Sequence, residues 1–430
     1  MDLSLGQEMY RLCDKMFPVC RSITGDGVRE TLKILKEVVP EITVHEVPTG
    51  TQVFDWTVPK EWRIRDAWVK NSKGEKVIDF KKHNLHVLGY STPVDKKVNL
   101  AELKSYLYTQ PDQPDAIPYV TSYYKERFGF CLSQNQYDSL PEDTYHMFID
   151  SELFDGSLTY GELIIPGETE QEILISTYFC HPSMANNELS GPALSVYLAK
   201  WLMQKEKRRY TYRFVYVPET IGSITYLSQE NHLEYMKKNT VAGWNLSCVG
   251  DDRTYSMVST RYGDTLTDRV TKNVLDFVYP EYRLYSFLKR GSDERQYNAP
   301  GVDLPVCGFS RSKYGEYPEY HTSKDDMGLI SPAGLMGAYN VMCQCIEALE
   351  HNYKYKIQCY GEPQLGKRGL YPTISQKGSY DEVTAMVDFI AYADGTNDLI
   401  AISDIIEVPV HELVKIAEKL HKAELIEKAQ

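Results

Sequence analysis

From Gly161 onward the sequence switches repeatedly between two periods, and that alternation limits the fold more than any other feature. Short apolar runs ("GELIIPG", "EILISTYF", "YRFVYV", "AGWNLSCVG", "LPVCGFS") are interleaved with helical stretches at 190–204, 222–230, 264–277 and 331–350. Strands alternating with helices of about ten to fifteen residues build an α/β sheet with helices on both faces. Such a sheet gathers its ligands at the carboxyl ends of the strands. Four stretches stand at those ends: His181 with Asn187, Glu219, Asp251 with Asp252, and His321 in the loop after the last strand.

The flanking sequence has a different character. Apolar residues recur at helical spacing over 4–17 and 26–38, and "EITVHEVPTG" then reads as a strand and a stop. Between 51 and 151 the chain reads as short strands (Trp68–Lys70, Val77–Phe80, Leu85–Tyr90, Tyr145–Ile149) broken by Gly, Pro and charged turns. This predicts a β-rich module inserted into a parent domain made of 1–50 and 152–355, and implies that the parent sheet closes without it. Residues 356–430 end in three short helices with a proline at the entry to the third, a pattern resembling a winged helix-turn-helix, although wing strands cannot be placed from the pattern.

Composition narrows the partners. Sixty acidic against 47 basic residues give a net charge of −13, which disfavours nucleic acid as a partner. The third helix of the terminal segment sets Lys415, Lys419 and Lys422 against Glu412, Glu418 and Glu424, so it offers little phosphate attraction. Nine cysteines without a C-x-x-C pair suit a reducing, cytoplasmic setting. No apolar run is long enough to cross a membrane, so no membrane partner is expected, while a homo-oligomer stays compatible with the sequence.

Histidine and carboxylate at strand ends match what a catalytic zinc needs: ligands on rigid elements and a position left open for water. For any one histidine taken alone, a hydrogen-bonded loop residue is the commoner outcome. His83 and His86 would share a strand face as a weak pair, more often packed or solvated than metal-bound, and are left as lid candidates. Arg21, beside a glycine-rich turn, and Arg368 in "GEPQLGKRGLYPT" could grip a substrate carboxylate in a bidentate fork, although a surface arginine is more usual.

The stretches "CHPSMANNELSGPALSVYLAKWL", "RFVYVPETIGSITYL", "NLSCVGDD" and "EYHTSKDD" resemble, in order and spacing, the metal-site blocks of zinc aminopeptidases related to bacterial leucyl aminopeptidase and glutamate carboxypeptidase. More closely, "FPVCRSITGDGVRETL", "HNLHVLGYS" and "DGTNDL" resemble a bacterial aminopeptidase-like family, often found near polysaccharide-biosynthesis genes, with an inserted domain and a carboxy-terminal winged helix. The resemblance covers nearly the whole chain. It implies a zinc-exopeptidase-like mixed sheet in which His181 and His321 are zinc ligands. It also puts Asn187 in the place of an aspartate bridging two zincs.

Glu219 falls on the general base of a glutamate pair, with Thr220 where the second, metal-binding glutamate would stand; with a one-residue gap Glu219 is itself the ligand. Ser247 replaces an expected aspartate, leaving Asp251 or Asp252 as substitutes, and Ser292-Asp293 resembles a pair preceding a loop near the site, a candidate for substrate binding. Losing the bridging carboxylate favours one zinc over two. The expected function is a zinc-dependent hydrolase cleaving an amide in a small peptide or amino-acylated substrate. The alternative is a catalytically degenerate relative that binds a peptide or sugar nucleotide without cleaving it, and a transcription regulator is the least favoured reading.

Overall fold

A computed structural model describes residues 3–371 and 381–429. Its largest sheet runs in the order Thr43–Pro48, Ser157–Ile165, Thr211–Val217, Glu172–Tyr178, Thr240–Leu246, Val306–Ser310, Ser256–Val258, Arg283–Tyr285. The third to sixth of these strands are parallel. Antiparallel pairing adds Ser157–Ile165 and Thr43–Pro48 on one side and Ser256–Val258 on the other. The architecture is therefore a mixed α/β sheet, and every residue of Glu172–Tyr178 and Thr211–Val217 is buried, as in strands covered on both faces. Two short strands, Ser256–Val258 and Arg283–Tyr285, and the helix His232–Asn239 extend the pattern read from the sequence.

The helix Ser190–Met203 is apolar nearly all round and lies within the core. Its first turn is made of small residues because it presses on a strand. A Cβ on Gly191 would stand 2.4 Å from the Leu246 carbonyl oxygen, so only glycine fits there. One turn earlier, the π-helical stretch Ala185–Leu189 brings "ANNEL" to the end of Glu172–Tyr178, all five residues buried.

Within residues 51–154, the strands Lys76–Asp79, Glu61–Lys70, Thr144–Phe154 and Val94–Asn99 form an antiparallel sheet. Val69, Val98, Phe130 and Met147 give it an apolar cluster of its own. Val53, Val58, Trp62 and Tyr90, however, share one cluster with Leu158, Val215, Val217 and Ile221 of the large sheet and its first following helix. The stretch Leu85–Tyr90 differs from the strand expected. Asn84–His86 is a single 3-10 turn, because the His83 ring accepts the Leu85 N–H at 3.1 Å and so competes with extended pairing.

The chain divides into two compact units, Met1–Gly263 with Arg283–Tyr339, and Asp264–Tyr282 with Asn340–Gln430. In the second, helices Asp381–Tyr392, Leu399–Ile406 and Val410–Lys422 accompany a three-stranded sheet ordered Asp394–Asp398, Lys354–Ile357, Ile426–Lys428. These are the strands that the sequence pattern alone did not place: "DGTND", read as a connection between helices, is one of them. No helix among the described residues is long and apolar enough to cross a membrane, and all nine cysteines are free thiols.

Candidate functional site

Each of the four parallel strands ends in a loop that holds a non-glycine residue in the left-handed region: Ser183 (φ 50°), Thr220 (φ 64°), Cys248 (φ 54°) and His321 (φ 57°). Such residues cost about 1–3 kcal/mol each and persist only where their surroundings over-determine them. Here the loops brace one another. The Glu219 N–H donates to Cys180 Sγ (3.3 Å), Asn187 Nδ2 donates to Cys248 Sγ (3.6 Å), and the His181 and His321 rings lie 4.9 Å apart.

His181 is held from behind. Glu188 accepts the backbone N–H of Cys180 (2.5 Å) and of His181 (2.9 Å) on one oxygen, and its other oxygen meets His181 Nδ1. Arg21, 1% exposed, donates to the His181 carbonyl oxygen (3.2 and 3.3 Å) and to that of Met16 (2.7 Å). The guanidinium expected to grip a substrate is thus sealed inside, where it fixes the His181 backbone and balances Glu188. With Nδ1 occupied, His181 Nε2 is the free nitrogen, and Glu219 Oε2 lies 3.8 Å from it. Cys180 Sγ, a His181 nitrogen and a Glu188 oxygen also lie within 4.8 Å of one another. Glu188 is already committed to two N–H groups, and burial holds the Cys180 thiol protonated, so Glu188 and Cys180 brace His181 rather than complete a coordination shell with it.

Glu219 sits on the loop before helix Ile221–Leu227, positioned by the Ser292–Asp293 pair. Ser292 helps to hold the Glu219 pKa down against its burial, while Asp293 Oδ1 accepts the Thr220 N–H (2.7 Å) and the Ser223 hydroxyl (2.9 Å). Asp293 Oδ2 is buried without a partner. Ser292 and Asp293 therefore hold the Glu219 loop in place.

His321 stacks on Tyr320 (3.8 Å between centroids), and its Nε2 is buried without a partner. Tyr119, from the segment between the small sheet's strands, packs 4.6 Å from the His181 ring and 5.1 Å from the His321 ring. Its N–H donates to the His321 carbonyl (2.9 Å), so this segment packs over the histidine pair. Asn187 Nδ2 donates to Tyr178 Oη (2.9 Å), which leaves Oδ1 buried and unpartnered. Asp325 accepts the N–H groups of Asn186 (2.6 Å) and Asn187 (3.0 Å) and the Tyr317 hydroxyl (2.9 Å), capping the turn that carries Asn187.

Other expected residues stand elsewhere. Asp251 accepts from Ser312 N and Oγ, Arg253 N and Asn186 Nδ2 at 2.8–3.0 Å, so both its oxygens are consumed in loop bracing and none is left for a cation. Asp252 accepts the Ser331 hydroxyl (2.5 Å), and Ser247 offers no acid. Arg368 belongs to the second unit, in the one-turn segment Gly366–Arg368, and bonds the nearby Gln364 carbonyl at 3.4 Å. His86 Nδ1 faces the Cys131 carbonyl (2.8 Å) and the His83 ring accepts the Leu85 N–H (3.1 Å), whereas Tyr119 is the ring packed against His181 and His321.

Burial opposes charge on His181, but Glu188 and then Glu219 outweigh it and raise its pKa. Burial, countered by His181 and reinforced by Glu188, pushes Glu219 up to about 6. Burial and the Glu219 charge push Asp293 up to about 8, while burial and the His181 charge pull His321 down to about 2. At neutral pH the site thus presents a neutral His321 imidazole beside carboxyl groups whose pKa values are raised.

Sequence reading missed Glu188, Tyr119, Asp325 and Arg295. Glu188 carried a signal, an acid in an otherwise apolar and amide stretch seven residues after His181. Tyr119 carried none, as one of 33 tyrosines.

A mixed sheet whose parallel strands carry strained loops at their carboxyl edge gives this chain an aminopeptidase-like fold. This chain belongs to the family described as a domain of unknown function (DUF4910), whose profile matches residues 10–352, and residues 353–428 match a winged helix-turn-helix family. It is 48% identical over 425 residues to a Clostridium acetobutylicum protein named for polysaccharide biosynthesis and an aminopeptidase-like domain, covering 98% of this chain and 96% of that one. A crystal structure from C. acetobutylicum, provisionally named a peptidase, superposes with a TM-score of 0.93 at 46% identity, covering 99% of this chain and 97% of that one. A zinc aminopeptidase from Bacillus subtilis shares the fold with a TM-score of 0.58 at 11% identity, covering 81% of this chain and 96% of its own.

Proposed function

We propose that this chain is a metal-assisted hydrolase that cleaves an amide bond in a small peptide or amino-acylated substrate. The observation that carries this reading is the buried, unpartnered Nε2 of His321 beside His181, whose own Nε2 is left free by Glu188 and faces Glu219 at 3.8 Å. A buried acceptor without a partner is costly unless something fills the position. Two imidazoles and a carboxylate are the donor set of a catalytic zinc. His181, His321 and Glu219 would hold one such ion with the neutral Asn187 Oδ1 beside them, and Asp251, whose oxygens are committed to loop bracing, is not free to serve a second. When bound, zinc supplies charge that polarises an amide carbonyl and lowers the pKa of water to about 7.

The chain's own groups do the rest. Glu188 keeps the His181 Nδ1 proton in place, which leaves Nε2 as the nitrogen that would turn to a metal. As the third ligand, Glu219 leaves neighbouring Asp293 as the acid that can take a proton from water and return it to the leaving amine; in the other register Glu219 carries that proton itself. Tyr119 covers the imidazoles and keeps bulk water out.

The test is zinc content and turnover on one preparation, with a dipeptide panel; the Clostridium relative's naming adds amino-acylated sugars to that panel. The reading expects about one zinc per chain, lost in His321→Ala, and cleavage that depends on it. A chain that binds these ligands, holds no zinc and cleaves none of them is the degenerate binder, a reading motivated by Asn187 and Ser247 standing where the related enzymes carry acids.

A further inference from the structure

The helix Glu294–Tyr297 follows directly on Asp293 and carries Arg295, a half-buried cation that the steps above do not use. Its Nη2 donates to Thr220 Oγ1 at 2.6 Å, and its Nε is buried without a partner. Among the described residues no carboxylate stands within ion-pair distance of the guanidinium, in contrast to Arg29, Arg213 and Arg253, each of which meets a glutamate at 2.6–2.9 Å. Thr220 adjoins Glu219, and the Arg295 charge is felt both by Glu219 and by the ring hydroxyl of Tyr124.

Tyr124, 65% exposed, stands edge-on to Trp56 at 5.7 Å. Trp56 lines a cleft of 380 Å³ whose walls also include Phe54, Ile224, Leu233, Gln296 and Val302. Gln296 is the next residue after Arg295, and Ile224 is one helical turn beyond Thr220. The guanidinium is thus bonded to the residue after Glu219, and the residue after Arg295 lines a cleft whose walls also include Asp55.

A guanidinium has five donors in a planar fork, and one desolvated against a hydroxyl alone is under-satisfied. Arg295 is held by the Thr220 hydroxyl beside the Glu219 loop, with no carboxylate of the described residues within ion-pair distance. Resting on the hydrolase reading above, we propose that Arg295 is the specificity-determining residue that binds the free α-carboxylate of the substrate's carboxy-terminal amino acid. The substrates are then peptides as short as a dipeptide with an unblocked carboxyl end. Charge-assisted bonds from one arginine to a carboxylate typically alter affinity by about 10- to 100-fold.

Calorimetry with a non-cleavable pair tests this without relying on turnover. The probes are a phenylalanyl-alanine analogue whose peptide carbonyl is reduced to CH2, and the same analogue with a terminal carboxamide, each titrated into the full chain with zinc supplied. Wild type is expected to bind the acid about 10- to 100-fold more tightly than the amide. Arg295→Gln should abolish that difference while leaving amide binding unchanged, and Arg295→Lys, which keeps the charge without the fork, should retain part of it. Thermal melts show that the variants are folded. Equal binding of acid and amide by wild type, no binding of either, or an acid preference that survives in R295Q overturns the proposal. If the preference follows Arg295 but wild type cleaves no cognate dipeptide, the hydrolase reading fails and the carboxylate site stands. Cleavage with no acid preference has the opposite meaning.

Discussion

Glu188 shows how much of this site depends on residues behind the ones that face it. Its oxygens hold two backbone N–H groups and the Nδ1 side of His181, so they set which imidazole nitrogen is free. Outer partners of this kind typically change metal affinity by about 10- to 100-fold. Glu188→Gln, which keeps the shape and removes the charge, should weaken zinc binding by that order in a competition titration, and unchanged affinity would place Glu188 outside the site's function. Glu219 poses a question of role. If it carries the proton, Glu219→Gln should lower turnover by about 10²–10⁴-fold with zinc retained, and if it is a ligand, zinc and turnover fall together. At this scale His181, Glu219 and His321 were legible because each closes a recognisable block at a strand end. Arg21 was legible as unusual, but its role was not: the sequence shows a guanidinium and gives no sign of whether it meets solvent or two backbone carbonyls.

Strand ends and helix starts are where the elements gain their chemistry. The first turn of Ser190–Met203 lies against Thr240–Leu246 so closely that a Cβ on Gly191 would meet both the Leu246 carbonyl oxygen and Thr177 Oγ1 at 2.4 Å. Gly191→Ala should therefore destabilise the fold by about 1–3 kcal/mol, read as a lower midpoint in urea, despite the better helix propensity of alanine. In the second unit, Asp398 caps the helix Leu399–Ile406 through the Ala401 N–H (2.9 Å) and pairs with Arg269 (2.6 and 2.8 Å). Burial works against its charge, but these donors outweigh it and its pKa is lowered. A carboxyl depressed in the folded state stabilises above its unfolded value of about 3.9, and that contribution is lost as pH falls through the folded value. Asp398→Ala should cost about 1–2 kcal/mol at pH 7, and the gap to wild type should narrow near pH 3; a gap constant with pH would argue against the ion pair. Helix bounds came from periodicity within a residue or two at Ser4–Met16, Leu266–Val278 and Pro332–His351. The short strand Asp394–Asp398 did not, because "DGTND" has turn composition and becomes a strand only by pairing with Lys354–Ile357.

Taken as a whole, the first unit joins the small antiparallel sheet to the large one through shared apolar packing. Val53, Val58, Trp62 and Tyr90 lie in one cluster with Val215, Val217 and Ile221. Joining residue 50 to residue 155 would expose that cluster, so the shortened chain should be insoluble or collapsed without cooperative melting, contrary to the soluble core that the sequence boundaries suggested. Trp62→Ala in the full chain should cost about 3–5 kcal/mol; a soluble, cooperatively melting excised core would show that the two sheets fold independently. Sequence by itself determined the alternation of strand and helix, hence the parallel sheet, the edge at which ligands gather, and three of the residues there, since period and strand-end position are local properties of the chain. Only the tertiary structure decided that Arg21 and Asp251 are consumed in bracing, that Glu188 stands behind His181 and Tyr119 over it, and that Arg295 faces no acid. Each of those depends on which loops meet in space, and a buried group's role is set by partners brought together from separate stretches of the chain.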